Sequence, residues 1–438
     1  MRLAEATRAA LGPEVAQPSY DRDQAVGIVH FGIGAFHRAH QAWYTDACLE
    51  DGERGWMIAG VSLRSPAVAA ELNPQDGLYT LTDRASAGST TRVVGAVREV
   101  LVGGRDGAAI VARLASPDCQ IASFTVTEKG YCRSADGGLD RAAARAGFYP
   151  LVAEALERRR VAGLPGLTLL SCDNLMANGT TLGGLLRAWL EQSPPLLRWF
   201  EAECTTPETM VDRIVPAPTA ADRASLSALG LRDVGAVFAE RFSQWVIEDR
   251  FAGPRPRWEE HGAQIVADVT AYETAKLRML NGAHSLLAYC GLAEGYRFVH
   301  EAIGDPRLRT LARALMAEAA ATIAASPGQD LAAYADSLIE RFANPALNHR
   351  LAQIAMDGSE KLPQRWLATR ADRRAMGLAS PAIEQGMRCW LRHLRDERWV
   401  DDPRAMELAA AVGYGPDEES AWQAVFGAEG ILAAPARV

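Results

Sequence analysis

The segment from Lys276 to His284 brings together side chains that could catalyse hydride transfer. On an α-helix, with Lys276 at zero, Glu273 falls near 60°, His284 near 80° and Asn281 near 140°, at about 100° per residue. Oxidation of a secondary alcohol needs a base for the hydroxyl proton and fixed donors for the developing alkoxide. A helix face with an amine, an amide and an imidazole therefore predicts a catalytic helix. The alternative is an amphipathic helix with its polar side in water, for which Asn281 and Gly282 would be poor residues.

The length and charge of the chain limit its class of function. With 438 residues it is too long for one ordinary core, so two domains are expected. A net charge of −8 argues against nucleic acid as a partner, because phosphate binding needs a basic face, but it permits a small anionic substrate. No run approaches the roughly 20 apolar residues of a membrane helix, and no secretory signal is evident. The sequence therefore predicts a soluble cytoplasmic protein.

The cysteines favour the same compartment. They are odd in number and never form a Cys-x-x-Cys pair (Cys48, Cys119, Cys132, Cys172, Cys204, Cys290 and Cys389). This distribution predicts buried free thiols in a reducing cytoplasm rather than a disulfide framework.

Strand and helix patterns alternate in the first part of the chain, which predicts an α/β domain with a mostly parallel sheet and helices on both faces. The predicted strands are 27–31, 56–62, 78–82, 92–95, 120–127, 167–171 and 266–268, with helices over 35–50 and 141–162. From about residue 270 the pattern is helical, over 271–295, 307–325, 330–342, 346–356, 381–395, 403–412 and 418–426. We therefore predict domains over residues 1–267 and 268–438, with a ligand in the cleft between them.

A glycine pair follows the first predicted strand. In Gly32-x-Gly34 the first glycine permits a tight turn, and the second lets a pyrophosphate approach the backbone and the helix N-terminus. The third glycine of the full dinucleotide fingerprint is replaced by His37. The pair also fits an ordinary strand-to-helix turn, but its context near the N-terminus favours cofactor binding.

The residues at the end of the second predicted strand do not decide whether the coenzyme is NAD or NADP. A carboxylate there would bind the ribose of NAD, but none occurs before Glu71. Arg64 and Ser65 could instead accept the 2′-phosphate of NADP.

Three histidines near the glycine turn raise the question of a metal site. His37 and His40 are three residues apart on a predicted helix, and His30 lies on the preceding strand. No cysteine or acid cluster accompanies them, and a metal would compete with a pyrophosphate at the turn. Helix packing or contact with a ribose is the better interpretation, so no metal is predicted.

Two further polar clusters follow apolar stretches. Ser171-Cys-Asp-Asn174 emerges at the carboxyl end of a predicted strand, where open α/β sheets bind substrates. Asn174 equally suits a turn or a helix cap. The second cluster, Asp212-Arg213, is better explained on its own by an internal salt bridge.

With these motifs in order, the chain resembles the mannitol dehydrogenase family of long-chain polyol-specific dehydrogenases. The resemblance spans about residues 27 to 365 and implies a Rossmann-type, doubly wound N-terminal domain, an all-helical C-terminal domain and metal-independent, NAD-linked hydride transfer between them. The matching stretches are 28–41, 125–131, 171–174, 210–216, 244–249, 276–284 and 357–363.

The resemblance implies a role for each matching residue. Lys276 would be the general base, Asn174 and Asn281 the oxyanion hole, His284 a contact to substrate hydroxyls and Glu273 a proton relay to water. Asp212 and Lys361 would face the substrate. The cofactor would be lined by Gly32, Gly34, Phe36, His37 and Arg38, with Thr127 and Glu128 at its nicotinamide end. Because a free lysine has a pKa near 10.4, the hypothesis requires burial to lower the pKa of Lys276 by about two or three units.

The substrate is less closely defined. Gln353 stands where mannitol-oxidising members of the family carry arginine, and residues 355–365 resemble those of members that act on sugar acids. This favours reversible reduction of D-fructuronate to D-mannonate, with Lys361 or Arg365 pairing with the carboxylate. The alternatives are a surface position for Arg365 and, for the function, oxidation of mannitol or arabinitol.

Two further matters stay open at this point. A nucleotide sensor without catalysis would need the glycine turn but not the lysine, the asparagines and the histidine together. The resemblance permits a monomer, and no pattern in the chain distinguishes a monomer from a weak homo-oligomer.

Overall fold

The computed structural model describes residues 2–85, 88–134, 136–396, 400–413 and 417–432. The chain forms two compact units, Met1–Val269 and Thr270–Val438. The boundary predicted from the change of pattern, between residues 267 and 268, lies two residues earlier.

The described part of the first unit contains twelve strands and eleven α-helices. The strands are β1 (Val15–Ala16), β2 (Val26–Phe31), β3 (Met57–Ser62), β4 (Tyr79–Ala85), β5 (Gly88–Val94), β6 (Val97–Val102), β7 (Ile121–Phe124), β8 (Thr168–Ser171), β9 (Thr209–Asp212), β10 (Val237–Glu240), β11 (Gln244–Glu248) and β12 (Gln264–Val266). The helices are α1 (Glu5–Arg8), α2 (Ala35–Ala39), α3 (Gln41–Glu50), α4 (Ala67–Leu72), α5 (Gly107–Ala115), α6 (Thr127–Gly130), α7 (Arg141–Ala144), α8 (Tyr149–Val161), α9 (Asn178–Leu190), α10 (Pro194–Glu203) and α11 (Ala220–Ala228).

The centre of this unit is a five-stranded parallel sheet in the order β6-β3-β2-β7-β8. Strands β2, β7 and β8 are buried along their whole length, as expected of apolar strands covered on both faces. From β2 the chain proceeds outward to β3 and β6, and then returns to the other side of β2 with β7 and β8. The strand order therefore reverses between β2 and β7, where doubly wound sheets bind ligands. The predicted Rossmann-type fold is confirmed.

Two smaller sheets complete the first unit. The order of one is β1-β5-β4-β10, in which β4 and β5 form an antiparallel hairpin, and the order of the other is β12-β11-β9. The sequence analysis did not predict β1, β6, β9, β10 and β11, which are short or carry polar residues that hide their alternation.

Two predicted elements differ in detail. The helix expected over 35–50 is two helices, because the backbone at His40 leaves the helical region (φ −120°, ψ −96°). The strand expected over 120–127 ends at Phe124, and Thr127 begins α6 with a positive φ of 64°. Both differences lie at the end of the sheet where ligands are expected.

The regular elements described in the second unit are all helices, which confirms the predicted helical fold. Its α-helices are α12 (Thr270–Ala275), α13 (Gly282–Ala293), α14 (Val299–Gly304), α15 (Pro306–Ala320), α16 (Leu331–Phe342), α17 (Leu351–Ile354), α18 (Gly358–Leu362), α19 (Ala368–Ala375), α20 (Pro381–Asp396), α21 (Ala405–Gly413) and α22 (Glu418–Phe426). Helix α13 is buried over most of its length and packs against α15, α17 and α20.

The expectation of free thiols is wrong for one pair of cysteines. Cys290 of α13 and Cys389 of α20 form a disulfide, and the other five cysteines are free. An odd cysteine count cannot reveal this pair, because its members are separated by 99 residues and meet only when α13 and α20 pack.

Within the described residues, no helix has the length and apolar character needed to cross a membrane.

Candidate active site

Three loops of the first unit meet at one edge of the parallel sheet. They follow β2, β7 and β8, which are neighbours in the sheet and point in the same direction. The carboxyl ends of such strands form the ligand-binding crevice of doubly wound sheets. The loops contain Gly32 and Gly34, Thr127 and Glu128, and Asn174, so the fold brings these predicted residues to one edge.

The two glycines of the turn differ in whether the fold itself requires a glycine. Gly32 has φ +94°, and a Cβ there would lie 2.1 Å from the Thr125 carbonyl oxygen, so the fold itself requires glycine. Gly34 has an ordinary φ of −91°, is exposed, and a Cβ would meet only the Gly32 oxygen at 3.8 Å. The protein does not need glycine at Gly34 for its own packing. A ligand that approaches this backbone closely would need it.

Residues of α2, the helix that follows the glycine turn, pack against the turn and the strand before it. His37 is fully buried and stacks on His30 with ring centroids 3.4 Å apart. Arg38 is also buried, with Nε donating to the Gly34 carbonyl at 3.2 Å. Both side chains pack beneath the turn, and their predicted contact with a cofactor stays a prediction. Phe36 is half-buried and stacks on His40.

Burial sets the charge state of the stacked histidines. It lowers the pKa of His30 to about 3 and that of His37 well below the ordinary value, with repulsion between the two rings adding to the effect at His37. His30 keeps both ring nitrogens hydrogen-bonded, at 2.8 Å from Ser123 Oγ and 2.8 Å from Thr125 Oγ1. The pair is therefore neutral in the folded protein.

The loops after β7 and β8 are joined by a carboxylate that the sequence reading left without a role. Asp173 accepts hydrogen bonds from the backbone nitrogens of Val126 at 2.9 Å and Thr127 at 2.8 Å, and from the Tyr131 hydroxyl at 3.0 Å. Burial raises the pKa of Asp173, although these donors oppose the change. The contacts hold Thr127 in its left-handed conformation.

A buried amide on the other side of Asn174 completes this support. Asn178 Nδ2 donates to the Asp173 carbonyl at 3.0 Å and the Thr209 carbonyl at 2.9 Å, and its Oδ1 accepts from the Thr209 nitrogen at 3.0 Å. Asn174 is therefore an exposed side chain between two anchored residues. Only the tertiary contacts reveal that Asp173 and Asn178 position it.

The remaining predicted residues of the first unit lie in three places. Arg64 is exposed after β3, next to the strand that carries the glycine turn. Glu128 lines an open cavity of about 490 Å³. Asp212 ends β9 and is buried, but the adjacent Arg213 forms its ion pair with Asp83 rather than within the dipeptide.

In the second unit, the segment that carries the proposed base is not α-helical. Lys276–Asn281 is a π-helix between α12 and α13. A π-helix bonds residue i to residue i+5, so Lys276 and Asn281 lie closer to one face than the 140° expected on an α-helix. The α-helical placement is therefore corrected. Lys276, Asn281 and Glu273 are all half-buried.

A second π-helix, Pro363–Leu367, supports the first. Arg365 Nη1 donates to the Asn281 carbonyl at 3.2 Å and to Ser285 Oγ at 2.8 Å, and Trp366 Nε1 donates to the Gly282 carbonyl at 3.1 Å. Arg365 is thus half-buried and hydrogen-bonded to Asn281 and Ser285. Burial lowers its pKa to about 10, and no carboxylate among the described residues pairs with it.

Lys361 lies one helical turn before Arg365. Its Nζ donates to the Met356 carbonyl at 2.6 Å and lies 3.5 Å from Asp357 Oδ2. Burial, and then repulsion from Arg365, lower the pKa of Lys361 despite the attraction of Asp357. The two cations therefore share one half-buried region of the second unit.

His284 begins the α-helix that follows the first π-helix. It packs against Phe342 and lies 5.3 Å from the ring of His349. Burial lowers the pKa of both histidines, and repulsion from His349 adds to the effect at His284. Among the described residues neither His284 Nε2 nor His349 Nδ1 has a hydrogen-bond partner. His349, which the sequence reading missed, is thus a second neutral imidazole at this place.

The composition of the chain also distinguishes the two predicted lysines, Lys276 and Lys361. The chain has three lysines against 43 arginines, and two of the three are Lys276 and Lys361. Arginine cannot be deprotonated in proteins, whereas lysine becomes a neutral amine when its pKa falls. The scarcity of lysine is consistent with the roles predicted for Lys276 and Lys361.

Within the described ranges, no three or more His, Cys, Asp or Glu side chains are grouped so that they could hold a metal ion.

Comparison with known proteins identifies related chains along most of the sequence. Residues 26–260 match the family model of the mannitol dehydrogenase Rossmann domain, and residues 268–412 match that of the mannitol dehydrogenase C-terminal domain. The chain is 43% identical over 376 residues to D-mannonate oxidoreductase of Escherichia coli (strain K12), covering 81% of this chain and 77% of that protein.

Two other relatives bear on substrate and coenzyme. The polyol:NADP oxidoreductase of Gluconobacter oxydans (strain 621H) is 40% identical over 388 residues, covering 84% of this chain and 80% of that protein. A ternary complex of Pseudomonas fluorescens mannitol 2-dehydrogenase with NAD and D-mannitol matches with a TM-score of 0.81 and 35% identity, over 99% of this chain and 93% of that one.

The buried histidine pair predicts a dependence of stability on pH. His30 and His37 are neutral when folded but take up a proton below about pH 6.5 when unfolded, so the stability they provide falls as pH decreases through this region. For His37→Phe, which keeps the stacking and removes one titrating ring, we expect about 2 kcal/mol less loss of unfolding free energy between pH 7 and pH 5. Urea unfolding at both pH values measures the difference.

The matched control is His261→Phe, at a histidine outside the stacked pair whose Nε2 lies 3.4 Å from Asp51 Oδ2. Equal acid sensitivity of His37→Phe and the unsubstituted chain would contradict the assignment.

Proposed function

Since the chain belongs to the mannitol dehydrogenase family and is an oxidoreductase of that family, we propose that it interconverts a sugar-acid alcohol and its ketone with NAD, most specifically D-mannonate and D-fructuronate. The alternative is oxidation of a neutral polyol such as mannitol or arabinitol. The observation that carries the proposal is the pair Lys361 and Arg365, two cations in one half-buried region beside the segment of the proposed base.

The residues at the glycine turn fit a dinucleotide. Gly34 is exposed and leaves its backbone open to a close ligand, and Gly32 belongs to the point where the strand order reverses. The mannitol 2-dehydrogenase relative binds NAD. Arg64, with no carboxylate beside it in sequence, keeps NADP as the alternative, which the Gluconobacter oxydans relative is named for.

The proposed chemistry divides the reaction among residues of this chain. Bound NAD supplies the acceptor for the hydride of the carbinol carbon. The neutral amine of Lys276 takes the hydroxyl proton, and Glu273 passes it to water. The amide groups of Asn174 and Asn281 donate to the developing alkoxide. In zinc alcohol dehydrogenases a metal ion activates the hydroxyl and stabilises the alkoxide. Here Lys276 and the two asparagines are proposed for these two tasks, so we propose a metal-independent reaction.

The substrate contacts follow from the cations and the histidine of the second unit. Lys361 is the group proposed to bind the carboxylate, and Arg365 adds positive charge while it holds the Asn281 carbonyl. Neutral His284, with its Nε2 unpartnered among the described side chains, is suited to accept or donate a bond to a substrate hydroxyl. Asp212 remains a proposed contact on the substrate side.

The carboxylate assignment predicts a selective effect of Lys361→Gln. We expect KM for fructuronate to rise roughly tenfold or more, as the loss of a charge-assisted bond implies, and KM for fructose to change much less. Steady-state rates with both ketones, measured side by side, give the comparison. Equal effects on the two substrates, or preference of the unsubstituted enzyme for fructose, would favour the neutral polyol.

The proposed base predicts that Lys276→Met lowers kcat at neutral pH by roughly 10²–10⁴-fold, the usual contribution of a general base. NAD affinity, measured by fluorescence titration, should be preserved because the substitution is in the second unit. Arg374→Met, at an exposed cation of α19 outside the proposed site, is the control. Near-normal turnover of Lys276→Met would remove the proposed base.

The two glycines of the turn are predicted to have different roles, Gly32 in the stability of the fold and Gly34 in NAD binding. Gly34→Ala should leave the melting temperature nearly unchanged, because the added Cβ has room, but weaken NAD binding about tenfold or more. Gly32→Ala should instead destabilise the fold, by more than about 1 kcal/mol, through its positive φ and the contact with Thr125. Gly184→Ala, where nothing lies within 4 Å, is the control. Unchanged affinity in Gly34→Ala would place the pyrophosphate elsewhere.

A further inference from the structure

We propose that Cys290 and Cys389 form a reversible thiol–disulfide modification site, independent of the reaction proposed above. The two residues lie on α13 and α20, which pack side by side in the second unit. Their Cα atoms are 5.2 Å apart and their sulfurs are bonded. This Cα separation is ordinary for a disulfide, so the pair can be joined or opened while the helices stay packed.

The other five thiols are unsuited to the same chemistry. Cys204 is half-buried and the other four are buried, and burial raises the pKa of Cys204 to about 11. Burial likewise raises the pKa of Cys48, Cys119, Cys132 and Cys172. Because the thiolate is the reacting form, these residues are protected from oxidation. Exchange with an external disulfide is therefore confined to the Cys290–Cys389 pair.

Cys290 and Cys389 differ in solvent exposure, and this difference sets the order of the two exchange steps. Cys290 is 3% exposed, whereas Cys389 on α20 is only half-buried. In the reduced pair the thiolate of Cys389 would attack a low-molecular-weight disulfide, forming a mixed disulfide and releasing one small thiol. The thiolate of Cys290 would then attack the Cys389 sulfur and release the second. Two protein thiols are oxidised, one external disulfide is reduced to two thiols, and an external dithiol reverses the exchange.

The crosslink acts on the helix that continues the proposed catalytic segment. Helix α13 begins directly after the π-helix of Lys276–Asn281, and His284 lies less than about two turns before Cys290. The disulfide closes a separation of 99 residues, a long loop whose closure restricts the unfolded chain strongly. The oxidised form should therefore hold α13 more firmly than the reduced form.

The test uses the purified full-length chain in three states: reduced with dithiothreitol, reduced and then treated with glutathione disulfide, and treated and then reduced again. Each is alkylated after denaturation, and its mass and peptides are analysed. We expect alkylation at seven cysteines, then at five, then at seven again, with Cys290 and Cys389 as the two protected sites. The oxidised chain should melt roughly 5–15 °C higher, with slower hydrogen exchange in residues 282–293.

Two variants make the outcome specific. Cys389→Ser should abolish both the protection of Cys290 and the shift in melting temperature, whereas Cys204→Ser should keep them. If Cys389→Ser does not fold, peptide mapping of the unsubstituted chain decides alone. Alkylation of Cys290 and Cys389 after glutathione disulfide treatment, protection at other cysteines, or a crosslink that dithiothreitol does not open in the native chain would each overturn the proposal.

Discussion

The guanidinium of Arg365 is a half-buried positive charge of the second unit, and no carboxylate among the described residues pairs with it. Arg365 is held by a backbone carbonyl and a hydroxyl. A buried cation is costly unless dipoles or a counter-charge stabilise it. The carbonyl of Asn281 meets part of this need. The charge that remains is complementary to an anionic group, and the proposal of a sugar-acid substrate depends on it.

The π-helical segment Lys276–Asn281 explains how side chains can bind backbone carbonyls within a helical region. A π-helix interrupts the regular i to i+4 ladder, so nearby carbonyls become acceptors for side chains. Arg365 and Trp366 use two of them, at Asn281 and Gly282. The same turn changes the direction of Lys276 relative to Asn281. Irregular backbone in the catalytic segment is thus stabilised by a second irregular segment, and the bonds between the two limit their freedom.

In the first unit, a carboxylate and an amide fix the loops at the edge of the sheet. Three loops at one edge of the sheet need fixed positions, yet two contain non-glycine residues in left-handed conformations, Thr127 and Ala177. Asp173 and Asn178 satisfy the backbone groups around them. These two side chains occupy the centre of the loops rather than their surface. The exposed residues Asn174 and Gly34 lie next to buried residues whose hydrogen bonds fix the loops.

The order of residues along the chain determined the two-domain organisation, the parallel sheet, the glycine turn and the candidate lysine, since these depend on local pattern and residue chemistry. Tertiary packing alone decided that His37 and Arg38 lie beneath the turn, that Lys276–Asn281 is π-helical, and that Cys290 meets Cys389. Periodicity reports which face of an element is apolar, but not which residues from distant segments will meet it. Burial, hydrogen-bond partners and helix irregularities depend on those distant neighbours.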